Sequence, residues 1–215
     1  MNRTFADRTE AGQRLAHALH AYANRDDLLV LALPRGGVPV AFEVARTLGA
    51  PLDLLLVRKL GVPRQEELAM GAIASGGIQV LNREVIAATG VGDTEIQAAV
   101  ARERRELERR ETAYRGERPA PEITGHCVIL VDDGLATGAT MRAALAALRP
   151  QHPAALVVAV PVAPPDVLAR LRAEADDVVC VAAPESFFAI GAWYRDFSQL
   201  DDDRVRALLA RAWTE

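Results

Sequence analysis

The chain has 215 residues, half of them apolar and a quarter charged, which is material for the buried core of one α/β domain and excludes a disordered tail. Its 25 basic and 29 acidic residues give a net charge of −4 and a pI near 5.7, against a protein that holds nucleic-acid phosphates by bulk electrostatics. No apolar run approaches the roughly 18 residues of a membrane span, residues 1–7 carry no signal-peptide pattern, and Cys127 and Cys180 sit in β-branched runs as core residues, so a cytoplasmic, soluble protein is expected.

In chain order, Asp7 followed by Glu10 is a capping signature that opens a helix over residues 8–22. Residues 28–33 form a short apolar run, a buried strand that ends in Pro34-Arg35-Gly36-Gly37. A helix over 38–48 follows, with Gly49 as its stop. A second strand spans 52–57 and runs into Arg58-Lys59. Residues 60–68 are polar and carry Gly and Pro, the pattern of a loop. Residues 70–74 and 78–81 flank Ser75-Gly76-Gly77 as a hairpin. The stretch 93–115 predicts a long charged helix with a narrow apolar stripe of Ile96, Val100, Leu107 and Tyr114. Between residues 101 and 118 seven Arg and five Glu alternate as a solvated, ion-paired face. The strand 128–131 precedes a helix over 139–148. Strands 156–160 and 178–181 are separated by a helix that Pro165 starts. Residues 184–200 hold half of the large aromatics, and Asp201 to Asp203 cap a last helix ending near Trp213. Strand and helix alternate throughout, which argues for a parallel sheet covered by helices.

Most of the chemistry is concentrated after the strand 128–131. Two adjacent carboxylates, Asp132 and Asp133, precede a Gly- and Thr-rich turn that opens a helix. Ligands of open parallel sheets bind beyond the carboxyl ends of the strands. A Gly-rich turn at a helix N-terminus offers backbone N–H groups and the positive end of the dipole to a phosphate. Thr137 and Thr140 add hydroxyl donors, and the two acids suit sugar hydroxyls or a cation. A P-loop NTPase would need Gly-x-x-x-x-Gly-Lys-Ser/Thr, which the chain lacks. A phosphate cradle with two adjacent carboxylates describes a site for a phosphorylated sugar, the alternative being an ordinary solvated strand end.

The string Val128-Ile-Leu-Val-Asp-Asp-Gly-Leu-Ala-Thr-Gly-Ala-Thr140 resembles the phosphoribosyl-pyrophosphate (PRPP) motif of type I phosphoribosyltransferases. The resemblance implies that Asp132 and Asp133 hold the ribose hydroxyls, and that Ala136, Thr137, Gly138, Ala139 and Thr140 hold the 5-phosphate. Pro34-Arg35-Gly36-Gly37 is similar to the family's pyrophosphate loop, which assigns Arg35, Gly36 and Gly37 to the leaving group. Lys59 falls where the family often has a basic residue near the pyrophosphate. Residues 60–77 correspond to a flexible loop that closes over the substrate, with Glu66 or, as first candidate, Glu67 as general base.

Residues 187–197 are similar to the hood of the 6-oxopurine enzymes. Phe188 or Trp193 would stack on a base. Asp196, one residue out of register, would join Asp133 in holding Mg2+. The 6-oxopurine enzymes carry an acid where this chain has Ala136; adenine-type members have Ala there. The implied fold is the type I arrangement: a central parallel sheet flanked by helices, with a flexible loop or hairpin. It forms one domain over 1–215, with its core at about 25–183 and a small hood at about 184–200 plus the C-terminal helix.

The implied function is Mg2+-dependent transfer of the 5-phosphoribosyl group from PRPP to a nitrogenous base or amine, with release of pyrophosphate. A homodimer is the usual assembly. Two alternatives stay open: a non-catalytic sensor of PRPP or a nucleotide, and a phosphoribosyl or nucleotide hydrolase. The 27 or so residues ahead of the first strand are too few for the winged helix of a DNA-binding sensor.

Overall fold

The computed structural model describes residues 4–214, and of Glu67 only the backbone. The helix α1 (Arg8–Ala18) starts on the Asp7 side chain, which accepts from the Glu10 amide at 2.9 Å. The strand β1 (Leu28–Ala32) is buried at every position. It leads through 33–36 into α2 (Gly37–Leu48), which stops on Gly49 in the left-handed region. The strand β2 (Leu52–Leu54) follows. Next come β3 (Val57–Val62), β4 (Gln65–Ala74), β5 (Ile78–Leu81), α3 (Arg83–Thr89) and α4 (Asp93–Arg115). The second half runs β6 (Cys127–Val131), α5 (Ala139–Leu148), β7 (Ala155–Val162), α6 (Pro165–Leu171), β8 (Asp177–Ala182) and α7 (Asp202–Ala212).

Five strands form a parallel sheet in the order β2-β1-β6-β7-β8. Alternation along β1 sends Leu28, Val30 and Ala32 to one face and Leu29 and Leu31 to the other. The first face packs under α1, α2, α4 and α7, the second under α5 and α6. From β1 the chain crosses to β2 on one side; from β6 it crosses to β7 on the other. The strand order therefore reverses between β1 and β6, which are neighbours in register from Leu28↔Cys127 to Ala32↔Val131. Such a switch point opens a crevice at the strands' carboxyl ends, and both glycine-containing loops singled out above emerge there.

The expected loop at 60–68 is instead the tip of an antiparallel hairpin. β3 and β4 pair from Val57↔Ala74 to Val62↔Gln65, with register shifts around Gly61. The breakers are genuine local signals, but Gly61 sits at the irregularity and Pro63 and Arg64 form the turn, Arg64 with φ of +67°. Pairing with β4 outweighs their local preference. The expected strand 52–57 likewise splits: β2 ends at Leu54, and Val57 begins β3 in the second sheet. The 70–81 hairpin is present as β4–β5 around the turn Ser75–Gly77. Both cysteines are free thiols, Cys127 fully buried and Cys180 partly so. Among the described residues no helix is long and apolar enough to cross a membrane.

Beyond β8 the chain forms a cap over this end of the sheet. Phe5 and Tyr194 make a parallel bridge. The amide of Phe5 donates to the Trp193 carbonyl, and those of Arg195 and Asp196 donate to the carbonyls of Phe5 and Ala6. A small apolar cluster of Phe5, Val162 and Tyr194, with Phe187, Ile190 and Phe197 against it, seats the cap on β7.

Candidate active site

The loop after β6 is fixed at its start and open at its end. The Leu135 amide donates to the Val162 carbonyl at 2.9 Å. Gly138 then turns in the left-handed region (φ 73°), and a Cβ there would lie 2.9 Å from Val167; only glycine suits both conditions. Ala136, Thr137, Ala139 and Thr140 face solvent around this turn. No side chain caps α5, although Thr137 Oγ1 lies 3.4 Å from the Ala139 amide. The first N–H groups of α5 are thus directed outward with the positive end of its dipole, which is an anion cradle.

The two acids ahead of the cradle differ. Asp132 is half-buried and receives the Asp133 amide at 2.8 Å; among the described residues no cation of the chain pairs with it. Asp133 is buried and receives Arg8 Nε on Oδ2 at 2.8 Å. Tyr194 donates its hydroxyl to the Asp133 carbonyl at 2.5 Å. Burial, and next the neighbouring Asp133 charge, push the Asp132 carboxyl well above the usual range. Burial also raises Asp133, against the pull of Arg8. A desolvated acid pair that shares a single arginine among the described residues is built to gain from a cation or from hydroxyl donors.

The loop after β1 meets this pair directly. The Leu33 amide donates to the Val131 carbonyl at 2.9 Å, which ties the two strand ends together. A Cβ on Gly36 would lie 2.1 Å from Asp133 Oδ2, and one on Gly37 would lie 2.6 Å from the Val131 carbonyl. These glycines answer to close approach, not to unusual dihedrals: Gly36 has φ of −59°. The Pro34–Arg35 peptide is cis. Arg35 itself turns to the C-terminal segment, donating to the Leu200 carbonyl at 2.9 Å with Asp202 at 3.8 Å.

Other expected site residues lie farther out. Lys59 is exposed on β3, while Arg58 beside it is committed to Glu103 of α4 at 2.7 and 2.9 Å. Glu66 is exposed on β4; the Glu67 side chain lies outside the described residues. Both strands pack against α5, the helix that carries the cradle. Phe188 is 97% exposed, whereas Trp193 is partly buried. Asp196 is exposed and receives the Ser198 amide, which lowers its carboxyl. No group of three or more His, Cys, Asp or Glu suited to a metal occurs among the described residues.

Sequence reasoning missed Arg8 and Tyr194. A faint signal exists for Arg8, a cation in the first turn of a helix, where the dipole favours an anion. Local mismatches of that kind point to a tertiary partner.

A family model described as the phosphoribosyl transferase domain matches residues 6–195. Two Mycobacterium tuberculosis proteins (strains CDC 1551 / Oshkosh and ATCC 25618 / H37Rv), each provisionally named a phosphoribosyl transferase, are 49% identical over 208 residues. The match covers 97% of this chain and 47% of theirs. The chain thus spans about half the length of these curated relatives. The crystal structure of TT1426 from Thermus thermophilus superposes with a TM-score of 0.89 at 44% identity, covering 97% of this chain and 98% of that one. AQ2163 from Aquifex aeolicus shares the fold at 13% identity, with a TM-score of 0.51 over 86% of this chain and 76% of its own. The family model spans residues 6–195, most of the chain, and the chain belongs to the phosphoribosyl transferase domain family.

Proposed function

We propose that the chain transfers the 5-phosphoribosyl group of PRPP to a nitrogenous base or amine, releasing pyrophosphate with the help of Mg2+. The observation that carries this reading is the closeness of the Gly36-Gly37 turn to the Asp132-Asp133 pair beside an open helix N-terminus. One site thereby offers surfaces for a pyrophosphate, a ribose and a 5-phosphate at once.

In this reading Ala136, Thr137, Gly138, Ala139 and Thr140 hold the 5-phosphate through backbone N–H groups and the two threonine hydroxyls. Asp132 and Asp133 take the ribose hydroxyls and stabilise positive charge developing on the ring. The small residues Gly36 and Gly37 let the backbone approach the leaving pyrophosphate. Arg35 and Lys59 add positive charge on that side. The residues fit a magnesium ion of the kind that binds through one or two carboxylates plus substrate phosphates: Asp132 lacks a cation partner among the described residues, and Asp133 and Asp196 are the further candidates. Bound there, Mg2+ would neutralise charge growing on the leaving group.

The acceptor nitrogen forms a bond to C1 as the bond from C1 to the pyrophosphate oxygen breaks, and pyrophosphate leaves with the electron pair. Glu66 or Glu67 would take the acceptor's proton. Orientation and electrostatics carry such a step, so no covalent nucleophile is required.

Calorimetric titration of PRPP with Mg2+ tests the reading. Wild type is expected to bind, and Asp132→Asn and Asp133→Asn each to weaken binding about 10- to 100-fold, the range for hydrogen bonds to a charged group. A pyrophosphate-release screen over nucleobases and amines then identifies the acceptor. A folded wild type that binds no PRPP would sink the proposal. PRPP binding without turnover of any acceptor would favour a sensor, and PRPP consumption without an acceptor a hydrolase.

The exposed Phe188 is the platform we assign to a planar acceptor. Phe188→Ala should raise the acceptor KM roughly tenfold, a stacking loss of about 1–1.5 kcal/mol. Affinity for PRPP and thermal stability should stay unchanged, since the ring buries almost nothing in the free protein. An unaltered KM would remove Phe188 from the site.

A further inference from the structure

We propose that Arg8 is a positioning residue of the donor site: it clamps the Asp133 carboxylate over Gly36 and fastens both to the aromatic cap. The inference rests on the PRPP reading of the acid pair.

Nothing local explains Arg8. It is the first residue of α1, directly after the N-cap Asp7, where a cation faces the positive end of the helix dipole. Its side chain is only 11% exposed, so solvation does not hold it there either. The explanation lies 125 residues along the chain. Nε donates to Asp133 Oδ2 at 2.8 Å, and Nη1 donates to the Ser198 carbonyl at 2.9 Å. The guanidinium carbon lies 3.9 Å from the centre of the Phe197 ring and 6.0 Å from that of Tyr194. One planar fork therefore joins the N-terminal helix, the acid pair and the cap.

Asp133 is held from both ends. Tyr194 fixes its carbonyl, Arg8 fixes its carboxylate, and the missing Cβ of Gly36 leaves the room that this carboxylate occupies. Asp132, which has no such clamp, is left to meet a ligand. If Arg8 were absent, the Asp133 side chain could rotate over the Gly36-Gly37 turn, and the cap would keep the Tyr194 link to the Asp133 carbonyl but lose its link to the carboxylate. A lysine could keep the ion pair, but it offers neither the flat face for Phe197 nor a second donor in fixed geometry for Ser198.

The test combines two readouts. Mg2+-PRPP affinity is measured for wild type, Arg8→Ala and Arg8→Lys, and for Arg8→Ala in an Asp133→Asn background. Amide hydrogen exchange without PRPP is followed at residues 35–38 and 193–198. Arg8→Ala should weaken binding about tenfold or more, Arg8→Lys should recover part of that loss, and Arg8→Ala should add less than about threefold once Asp133 is Asn. Exchange should rise in both segments together. Equal losses in the two backgrounds, or affinity within about twofold of wild type, would overturn the proposal. If Arg8→Ala does not fold, Arg8→Lys and Arg8→Gln carry the same comparisons. If wild type binds no PRPP, the transferase reading fails and exchange alone decides: a joint rise supports the clamp, and unchanged exchange refutes it.

Discussion

Gly36→Ala is expected to reduce Mg2+-PRPP affinity by about 100-fold or more while leaving the protein folded. The added methyl would sit 2.1 Å from Asp133 Oδ2, 2.5 Å from its Cγ and 2.9 Å from Oδ1, far inside contact distance. The usual relief, a small rotation of the neighbouring side chain, is closed off. Arg8 holds the carboxylate at 2.8 Å and Tyr194 holds the same residue's carbonyl. Either the Arg8–Asp133 pair breaks or the 34–37 loop moves away from the strand ends. Each outcome disrupts the geometry that the proposed donor site requires, and about 1–3 kcal/mol of stability should be lost to overpacking. The backbone is not the obstacle, because φ of −59° is ordinary for alanine. Calorimetry and thermal denaturation check the result. Wild-type affinity in Gly36→Ala would show that the close approach plays no part in holding the donor.

What can be read before the structure, and what cannot, divides by how local the cause is. The strand β6 and its cradle are legible because five apolar residues, two acids and a Gly/Thr turn all lie within one short stretch. The charged helix α4 is legible for the same reason, with pairs such as Glu106–Arg110 one turn apart. The β3–β4 hairpin is hidden because its strands exist only by pairing, and Gly61 and Pro63 look like breakers until their partners are known. The helix α3 escapes the sequence reading although Asn82 caps it and Gly90 ends it in the left-handed region; seven residues give too little periodicity to register.

The site follows the same rule. Its glycine loop and acid pair are readable as motifs, yet their mutual contact is set by the register of β1 against β6. The partner that holds Asp133 comes from residue 8, beyond the reach of any spacing argument. The roles assigned to Lys59, Glu67 and Asp196 rest on the family resemblance, and the Glu67 side chain lies outside the described residues.

Arg115→Ala should cost about 3–5 kcal/mol of stability, the loss expected when one partner of a buried ion pair is removed. Arg115 and Asp53 are 4% and 5% exposed in their side chains. Nε and Nη2 reach Asp53 Oδ1 at 3.1 and 2.8 Å, Nη2 also donates to the Leu54 carbonyl at 2.8 Å, and Nη1 reaches Glu111 at 3.1 Å. The last turn of α4 is thereby fastened to β2, the edge strand beside β1. Truncation to alanine leaves Asp53 buried with, among the described residues, the Leu54 amide at 2.7 Å and Arg118, at 3.9 Å and half-exposed, to offset its charge. The cost arises from that stranded carboxylate more than from the lost attraction, so removing both partners should be far milder. Asp53→Leu with Arg115→Met should recover most of the loss, as hydrophobic replacement of buried pairs often does. Urea denaturation of the two single variants and the double one separates the terms. A cost below about 1 kcal/mol for Arg115→Ala would mean that water or Arg118 already screens Asp53. PRPP affinity, measured well below the melting temperature, should be unaffected in all three, because the pair joins α4 to β2 and the loops of the proposed donor site leave β1 and β6.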